Sequence, residues 1–268
     1  MAAAAMPDDL RPLLNRLAEA AAAETLPRFR ANHDIVNKQR RGFDPVTEAD
    51  RAAEKSLRRL LRQERGEDSV IGEEEGFIEG SSGWTWLLDP IDGTRSFITS
   101  QPTWGTLVGL RRGETPAWGM MDQPFTGERY IGGPGFSELH RHGEVTALRT
   151  RACADLGAAH IVLPSLYRTD YPDGTGALFR RIGAAAELVR SGGDCYRYAS
   201  VAYGQIDAVI DRGLRIWDFE PMIPIVEGAG GILTQWDGSP TEDRGTILCC
   251  GDAALHAVLM RHLADDRE

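Results

Sequence analysis

Residues 84–97 read WTWLLDPIDGTRSF. An apolar run of strand character breaks into two acids, Asp89 and Asp92, with Pro90 and Ile91 between them. Two carboxylates this close repel each other, so the fold gains nothing from the pair alone. Taken singly, an Asp before Pro is also the common opening of a turn or a helix cap. Glu73 to Glu75, at the end of another strand-like run, reads singly as a solvated charge run. Downstream, Trp217-Asp218 stands at the start of a helical stretch. Together these acids carry a different reading. Mg²⁺ takes oxygen ligands, typically one or two carboxylates plus substrate phosphate. With two or more such ions in one cleft, the repulsion between the acids becomes attraction. The turn between Asp89 and Asp92 can aim the Ile91 carbonyl at the same ions. Gly93 and Thr94 fall where a helix begins, and their N–H groups suit a phosphate. Thr94 adds a hydroxyl beside the water that would attack it.

Several elements must bring these residues together. Leu10, Leu13, Leu14, Leu17, Ala21 and Leu26 form a helical stripe within residues 8–31. Residues 31–45 are polar and basic, with Lys38, Arg40 and Arg41, and predict a mobile loop or a hairpin. A second helix is expected over 46–65, with Ala49, Ala53, Leu57 and Leu61 on its apolar face and Arg at its end. Short strands over 69–73 and 84–88 end at the acids, and a helix begins within 93–98. From 104 to 148, short strands between Gly-rich turns predict an antiparallel sheet. Beyond residue 150, strands at 160–163, 187–190, 206–210, 232–236 and 246–249 alternate with helices at 174–186, 194–204, 217–230 and 252–264. The expected class is therefore α/β. The expected organisation is an N-terminal half, 1–150, with the helices, the antiparallel sheet and the acidic motifs, and a C-terminal α/β half, 151–268.

The 268 residues suffice for a substantial core, and 42% hydrophobic with 26% charged is an ordinary globular profile. A net charge of −10 argues against nucleic acid as the main partner. It leaves anionic substrates open, because metal ions invert local charge. Cys153, Cys195, Cys249 and Cys250 form no CxxC pair, which points to reduced thiols and a cytoplasmic setting. No signal-peptide pattern and no apolar run of membrane-spanning length is present, so no membrane partner is expected. Trp84, Trp86, Trp104 and Trp236 read as packing residues.

The set Gly72-Glu73-Glu74, Asp89-Pro-Ile-Asp-Gly-Thr94 and Trp217-Asp218, with Asp44-Pro-Val-Thr-Glu-Ala-Asp50 upstream, resembles the inositol monophosphatase family of Mg²⁺-dependent phosphatases. The likeness runs from about Leu10 to the last helix. It implies a layered α/β/α/β/α sandwich, commonly assembled as a homodimer, acting on a small phosphate monoester. It implies that Glu73, Asp89, the Ile91 carbonyl, Asp92 and Asp218 hold two or three Mg²⁺ ions. Gly93 and Thr94 would bind phosphate. Asp50 would pair with the Thr94 hydroxyl and, with Glu73, orient and deprotonate the attacking water. Lys38 would lie on a loop near the site. No covalent intermediate is needed, and none of the six histidines falls in these motifs.

The family includes phosphatases of inositol phosphates, fructose bisphosphate, adenosine bisphosphates and histidinol phosphate. The informative stretch is Arg190-Ser-Gly-Gly-Asp-Cys-Tyr196. Asp194 stands where the inositol enzymes usually carry a small neutral residue, and Asp211 matches the family's acid that holds a substrate hydroxyl. Two acids beyond the phosphate end suit a cationic alcohol, because an unpaired buried carboxylate is costly. Gly192-Gly-Asp-Cys-Tyr196, residues 96–106, Trp217-Asp-Phe219 and Pro224 to Gly231 look like the histidinol-phosphate phosphatase branch. That likeness makes Asp92, Gly93, Thr94, Gly193, Asp194, Asp211 and Asp218 substrate-binding candidates. The competing reading of Asp194 is a helix N-cap. Arg190 either anchors its loop on Asp194 or Asp211 or approaches the substrate. Asp218-Phe-Glu-Pro221 departs from the family pattern at Glu220 and Pro221, where many relatives carry small apolar residues. The alternatives are an inositol-1-monophosphatase, a broad-specificity sugar phosphate phosphatase, or a non-catalytic member that binds a phosphorylated ligand.

Overall fold

The computed structural model describes residues 7, 9–31, 36–37, 45–164, 175–241, 243 and 245–264. Lys38 and Asp44 lie outside the described residues. Helix α1 (Leu10–Thr25) lays Leu10, Leu13, Leu14, Leu17 and Ala21 of the predicted stripe against α2 (Glu48–Glu64), which answers with Ala53, Leu57 and Leu61, while Leu26 falls past the end of α1 and is exposed. Between them, β1 (Val36–Asn37) and β2 (Pro45–Val46) pair antiparallel, which agrees with the hairpin of the two alternatives, loop or hairpin, expected there. Thr47 starts α2 with a capping box: its hydroxyl accepts from the Ala49 N–H at 3.1 Å, and its own N–H donates to Asp50 at 2.8 Å.

The first sheet comprises β3 (Ser69–Gly72), β4 (Gly76–Ile78), β5 (Trp84–Asp92), β6 (Gly105–Arg112), β7 (Thr115–Gln123), β8 (Glu128–Gly133), β9 (Phe136–Arg141) and β10 (Glu144–Ala147). Their order is β10-β9-β8-β7-β6-β5-β3-β4, antiparallel throughout except for the β3–β5 pair. Strand β4 was not expected from the sequence, since it is exposed at every position and carries no alternation. Strand β5 runs on through Asp92, four residues beyond the expected end at Leu88. A shift of register between Asp89 and Asp92 accommodates Pro90, which has no N–H to give the ladder. The Pro90 carbonyl is taken instead by the Thr106 hydroxyl at 2.8 Å. The five-residue α3 (Thr94–Ile98) follows.

The second sheet is built from β11 (His160–Leu163), β12 (Leu188–Ser191), β13 (Ala208–Arg212), β14 (Ile232–Thr234) and β15 (Thr246–Cys250), in the order β12-β11-β13-β15-β14. Its helices are α4 (Thr175–Ala185), α5 (Tyr196–Ala202), α6 (Ile216–Phe219), α7 (Ile223–Gly228) and α8 (Ala253–Ala264). The helix expected over 217–230 is broken into α6, a 3₁₀ turn (Glu220–Met222) and α7. The cause is Pro221 and Pro224, which supply no N–H to a continuous helix.

Three cores order the layers. α1 and α2 pack on the first sheet through Trp86, Leu88, Val108 and Met120. α5 and α7 lie between the sheets, with Leu107, Met121 and Tyr130 on one side and Val209, Leu233 and Ile247 on the other. α4 and α8 cover the outer face of the second sheet through Leu178, Phe179, Leu255 and Leu259. The result is an α/β/α/β/α sandwich. Glu220 and Pro221 have a place in it. Arg111 of β6 donates to the buried Glu220 at 3.1 Å, and Pro221 packs against Gly109 and Gly119. No helix among the described residues is long and apolar enough to cross a membrane. The four cysteines form no disulfide.

Candidate active site

Carboxylate oxygens of Asp89, Asp92 and Asp218 lie within 4.8 Å of one another. Each accepts from a backbone N–H, local for Asp89 and Asp218 and distant for Asp92. Asp89 accepts from the Ile91 N–H at 3.1 Å, closing the turn at the end of β5. The Ile91 side chain anchors that turn in a pocket of Phe29, Ala49, Phe97 and Trp104, so the residue matters for its side chain as well as its carbonyl. Asp92 accepts from the Cys195 N–H at 2.6 Å, a bond across 103 residues that joins β5 to the start of α5. Asp218 caps α6 by accepting from the Arg215 N–H at 2.8 Å. Glu73 follows β3, where its N–H donates to the Leu88 carbonyl at 3.1 Å. Its charge reaches both Asp89 and Asp218.

Burial, and then the neighbouring acids, push Asp89 well above the usual carboxylate range. Burial and Asp92 do the same to Asp218. Burial and Asp194 push Asp92 up to about 7, against the opposing pull of Arg197 and the Cys195 N–H. Crowding and desolvation therefore favour the protonated forms of these acids, and a bound cation would relieve the same repulsion. A buried, mutually repelling set of hard oxygen donors fits a divalent ion of the Mg²⁺ type.

Asp50 is buried one turn into α2 and is pushed up to about 6, mainly by burial. One of its oxygens takes the Thr47 hydroxyl and N–H at 2.6 and 2.8 Å, and the other faces the Thr94 hydroxyl at 3.3 Å. Thr94 is also 3.2 Å from the Ile91 carbonyl. The expected Asp50–Thr94 pair is thus formed, next to the acids. Gly93, at φ +82°, turns the chain from β5 into α3. A Cβ there would lie 2.7 Å from Asp194 Cγ, so only glycine fits both the turn and the contact.

Asp194 itself is left-handed, at φ +44°, a region that Asp tolerates better than most residues. Its carboxylate does not cap α5, whose N-cap is Cys195. It accepts from the hydroxyls of Ser96 and Thr103, both at 2.6 Å. Gly193 beside it has φ +98°. Asp211, buried on β13, takes the Arg212 N–H at 2.8 Å and the Tyr198 hydroxyl at 3.4 Å, and pairs with Arg197 at 2.5 Å. Arg190 is exposed on the edge strand β12, and the pairing considered for it falls to Arg197.

Sequence reasoning passed over two residues that support Glu73. Glu54, fully buried on α2, accepts from the N–H groups of Glu74 and Glu75 at 2.8 and 3.0 Å and from Arg58 at 2.7 Å. Arg58 also donates to the Gly76 carbonyl at 2.5 Å. A Cβ on Gly72 would fall 2.2 Å from Glu54, so that glycine makes room for the carboxylate. The spacing of four among Asp50, Glu54 and Arg58 was a readable sign that one face of α2 is polar and serves the site. Nothing comparable marked Ser96, Thr103 and Arg197, whose partners are distant in sequence.

The sequence matches the inositol monophosphatase family over residues 6–268. It is 34% identical over 260 residues to the bifunctional phosphatase IMPL2, chloroplastic, of Arabidopsis thaliana, covering 93% of this chain and 73% of that protein. It is 35% identical over 252 residues to a histidinol-phosphatase of Chlorobaculum parvum, covering 93% and 94% of the two chains. Among solved structures, an inositol monophosphatase from Zymomonas mobilis superposes with a TM-score of 0.83 at 36% identity, over 97% and 99% of the chains. A layered sandwich with an acid cluster at the end of β5 is the architecture of a metal-dependent phosphatase. The chain belongs to the inositol monophosphatase family.

Proposed function

We propose that the protein is a Mg²⁺-dependent phosphomonoesterase that hydrolyses histidinol phosphate to histidinol and phosphate. The observation that carries the reaction is the convergence of Asp89, Asp92 and Asp218 within 4.8 Å, beside the Asp50–Thr94 pair. In this reading Glu73, Asp89, the Ile91 carbonyl, Asp92 and Asp218 hold the ions, two or three in number. When bound, Mg²⁺ acidifies the attacking water and stabilises charge on the phosphoryl and leaving oxygens. The first N–H groups of α3, at Gly93 and Thr94, orient the phosphate. The Thr94 hydroxyl takes the proton of the water while passing its own to Asp50, whose elevated pKa suits it to receive one. Glu73 orients that water. As the new P–O bond forms, the bond to the alcohol breaks, and the alcohol leaves protonated from solvent.

The substrate choice is supported by the Gly192-Gly-Asp-Cys-Tyr196 stretch and by the likeness to the histidinol-phosphatase of Chlorobaculum parvum. Asp194, with Gly193 and Asp211, would face the alcohol end. A second reading, inositol phosphate, is favoured by the likeness to the Zymomonas mobilis enzyme. A homodimer in a cytoplasmic setting belongs to the same proposal. Phosphate release from histidinol phosphate and inositol 1-phosphate, each with and without Mg²⁺, tests it. Release should require Mg²⁺ and run at least about tenfold faster on histidinol phosphate, the scale of one well-placed charged contact. Equal or reversed rates would exclude the substrate, and Mg²⁺-independent release would exclude the mechanism.

A further inference from the structure

The alcohol end of the site was expected to offer two acids to a cation, yet the chain brings a cation of its own. Arg197, the second residue of α5, is only 14% exposed, and its guanidinium lies 2.5 Å from Asp211. Its guanidinium carbon lies over the Tyr198 ring, 5.2 Å from the centroid, a cation–π contact. Its Nε is buried with no hydrogen-bond partner among the described residues. Its charge is felt by Asp92 and Asp218 on the metal side and by Asp194 and Asp211 on the other. Asp211 thereby has a direct charge partner in Arg197, beside the Arg212 N–H and the Tyr198 hydroxyl. Asp194 differs in kind: its hydrogen-bond partners are the neutral hydroxyls of Ser96 and Thr103, and the Arg197 charge reaches it without the close pairing made to Asp211.

We infer that Arg197 is a specificity-determining residue, a resident counter-ion that neutralises Asp211 and sets how strongly the site prefers a positively charged alcohol. The inference rests on the reading of this site as a phosphomonoesterase site whose alcohol end adjoins Asp194 and Asp211. An arginine keeps its charge across the physiological range, so the bias is built in and does not vary with pH. With the guanidinium present, an incoming ammonium meets one net negative charge from Asp194, Asp211 and Arg197 together. Without it, the same ammonium meets two.

The test is the ratio of kcat/KM for a cationic ester, phosphoethanolamine, to that for a neutral one, glycerol 2-phosphate, with histidinol phosphate assayed alongside. Arg197→Met, which keeps bulk and removes charge, should raise the ratio about fivefold, a modest figure because a partly solvated charge acts through a high effective dielectric. Asp211→Asn should lower it. The double variant Arg197→Met/Asp211→Asn restores the charge balance and should return the ratio to within about twofold of the wild type. If Arg197→Met folds poorly, Asp211→Asn against the double variant still reads the same charge. A ratio unchanged across these proteins, or one that falls in Arg197→Met, would overturn the inference. Dissociation constants of both esters by calorimetry, with Ca²⁺ as the ion, give the ratio without turnover. Failure to hydrolyse histidinol phosphate while the ratio follows the charges would sink the substrate proposal and leave this one standing.

Discussion

At the residue scale, the acid cluster sets function against stability. Asp89 is buried and Asp92 and Asp218 are half-buried beside it, and each is pushed toward its protonated form by desolvation and by its neighbours. Asp92→Asn should therefore abolish Mg²⁺-dependent turnover, by a factor of about 10³ or more. It should leave the melting temperature of the metal-free protein equal to or above that of the wild type, since one repelling charge is removed. Scanning calorimetry in a chelator, paired with a phosphate-release assay, checks both halves. A melting temperature several degrees lower would mean that the Cys195 N–H bond to Asp92 holds the fold more than the cluster strains it.

At the scale of the element, α2 serves the site at two places one turn apart. Asp50 reaches Thr94, and Glu54 grips the turn that presents Glu73. Glu54→Gln keeps the shape but weakens the acceptor for two N–H groups and for Arg58. It should raise the Mg²⁺ concentration for half-maximal activity about tenfold, with KM for the ester at saturating Mg²⁺ nearly unchanged. Glu54→Ala removes the closest charge partner of the buried Arg58, leaving it the Gly76 carbonyl and the more distant Glu75, and should cost about 3 kcal/mol of stability. Mg²⁺ titrations well below the melting temperature separate the two effects. A Glu54→Gln enzyme that loses stability and keeps its Mg²⁺ dependence would reduce Glu54 to a structural role.

At the scale of the whole molecule, the elevated carboxyl groups tie stability to pH and to the ion. Asp92 has a folded pKa of about 7 against 3.8 for the ordinary group, and Asp50 about 6 against 3.8. The folded state thus binds more protons than the unfolded state between these values. Their contribution is fully present below about pH 4 and is lost as pH rises toward 7. Between pH 5 and 7 the metal-free protein should lose on the order of 2 kcal/mol at Asp92 alone, or ~5 °C in Tm. Under the proposed function Mg²⁺ would replace the protons, so its stabilising effect should grow with pH over the same interval. Melting curves from pH 5 to 8, in chelator and in Mg²⁺, test this; a metal-free Tm that rises steadily with pH would contradict it.

Much of this was legible in the chain itself. The leucine stripe of α1, the apolar face of α2 and the acids at strand and helix ends are local features, written in residue spacing. They determined the elements, the α/β class and the acids that meet at the end of β5. Tertiary structure decided what those acids meet. Asp194 finds Ser96 and Thr103 across 98 and 91 residues, and Asp92 finds the Cys195 N–H across 103. Arg197 rather than Arg190 takes Asp211, because helix α5 aims its second residue at β13 while β12 leaves Arg190 at the sheet's open edge. Periodicity records which face of an element is buried. It holds no record of which distant charge will share that burial, and a buried charge is defined by its partner.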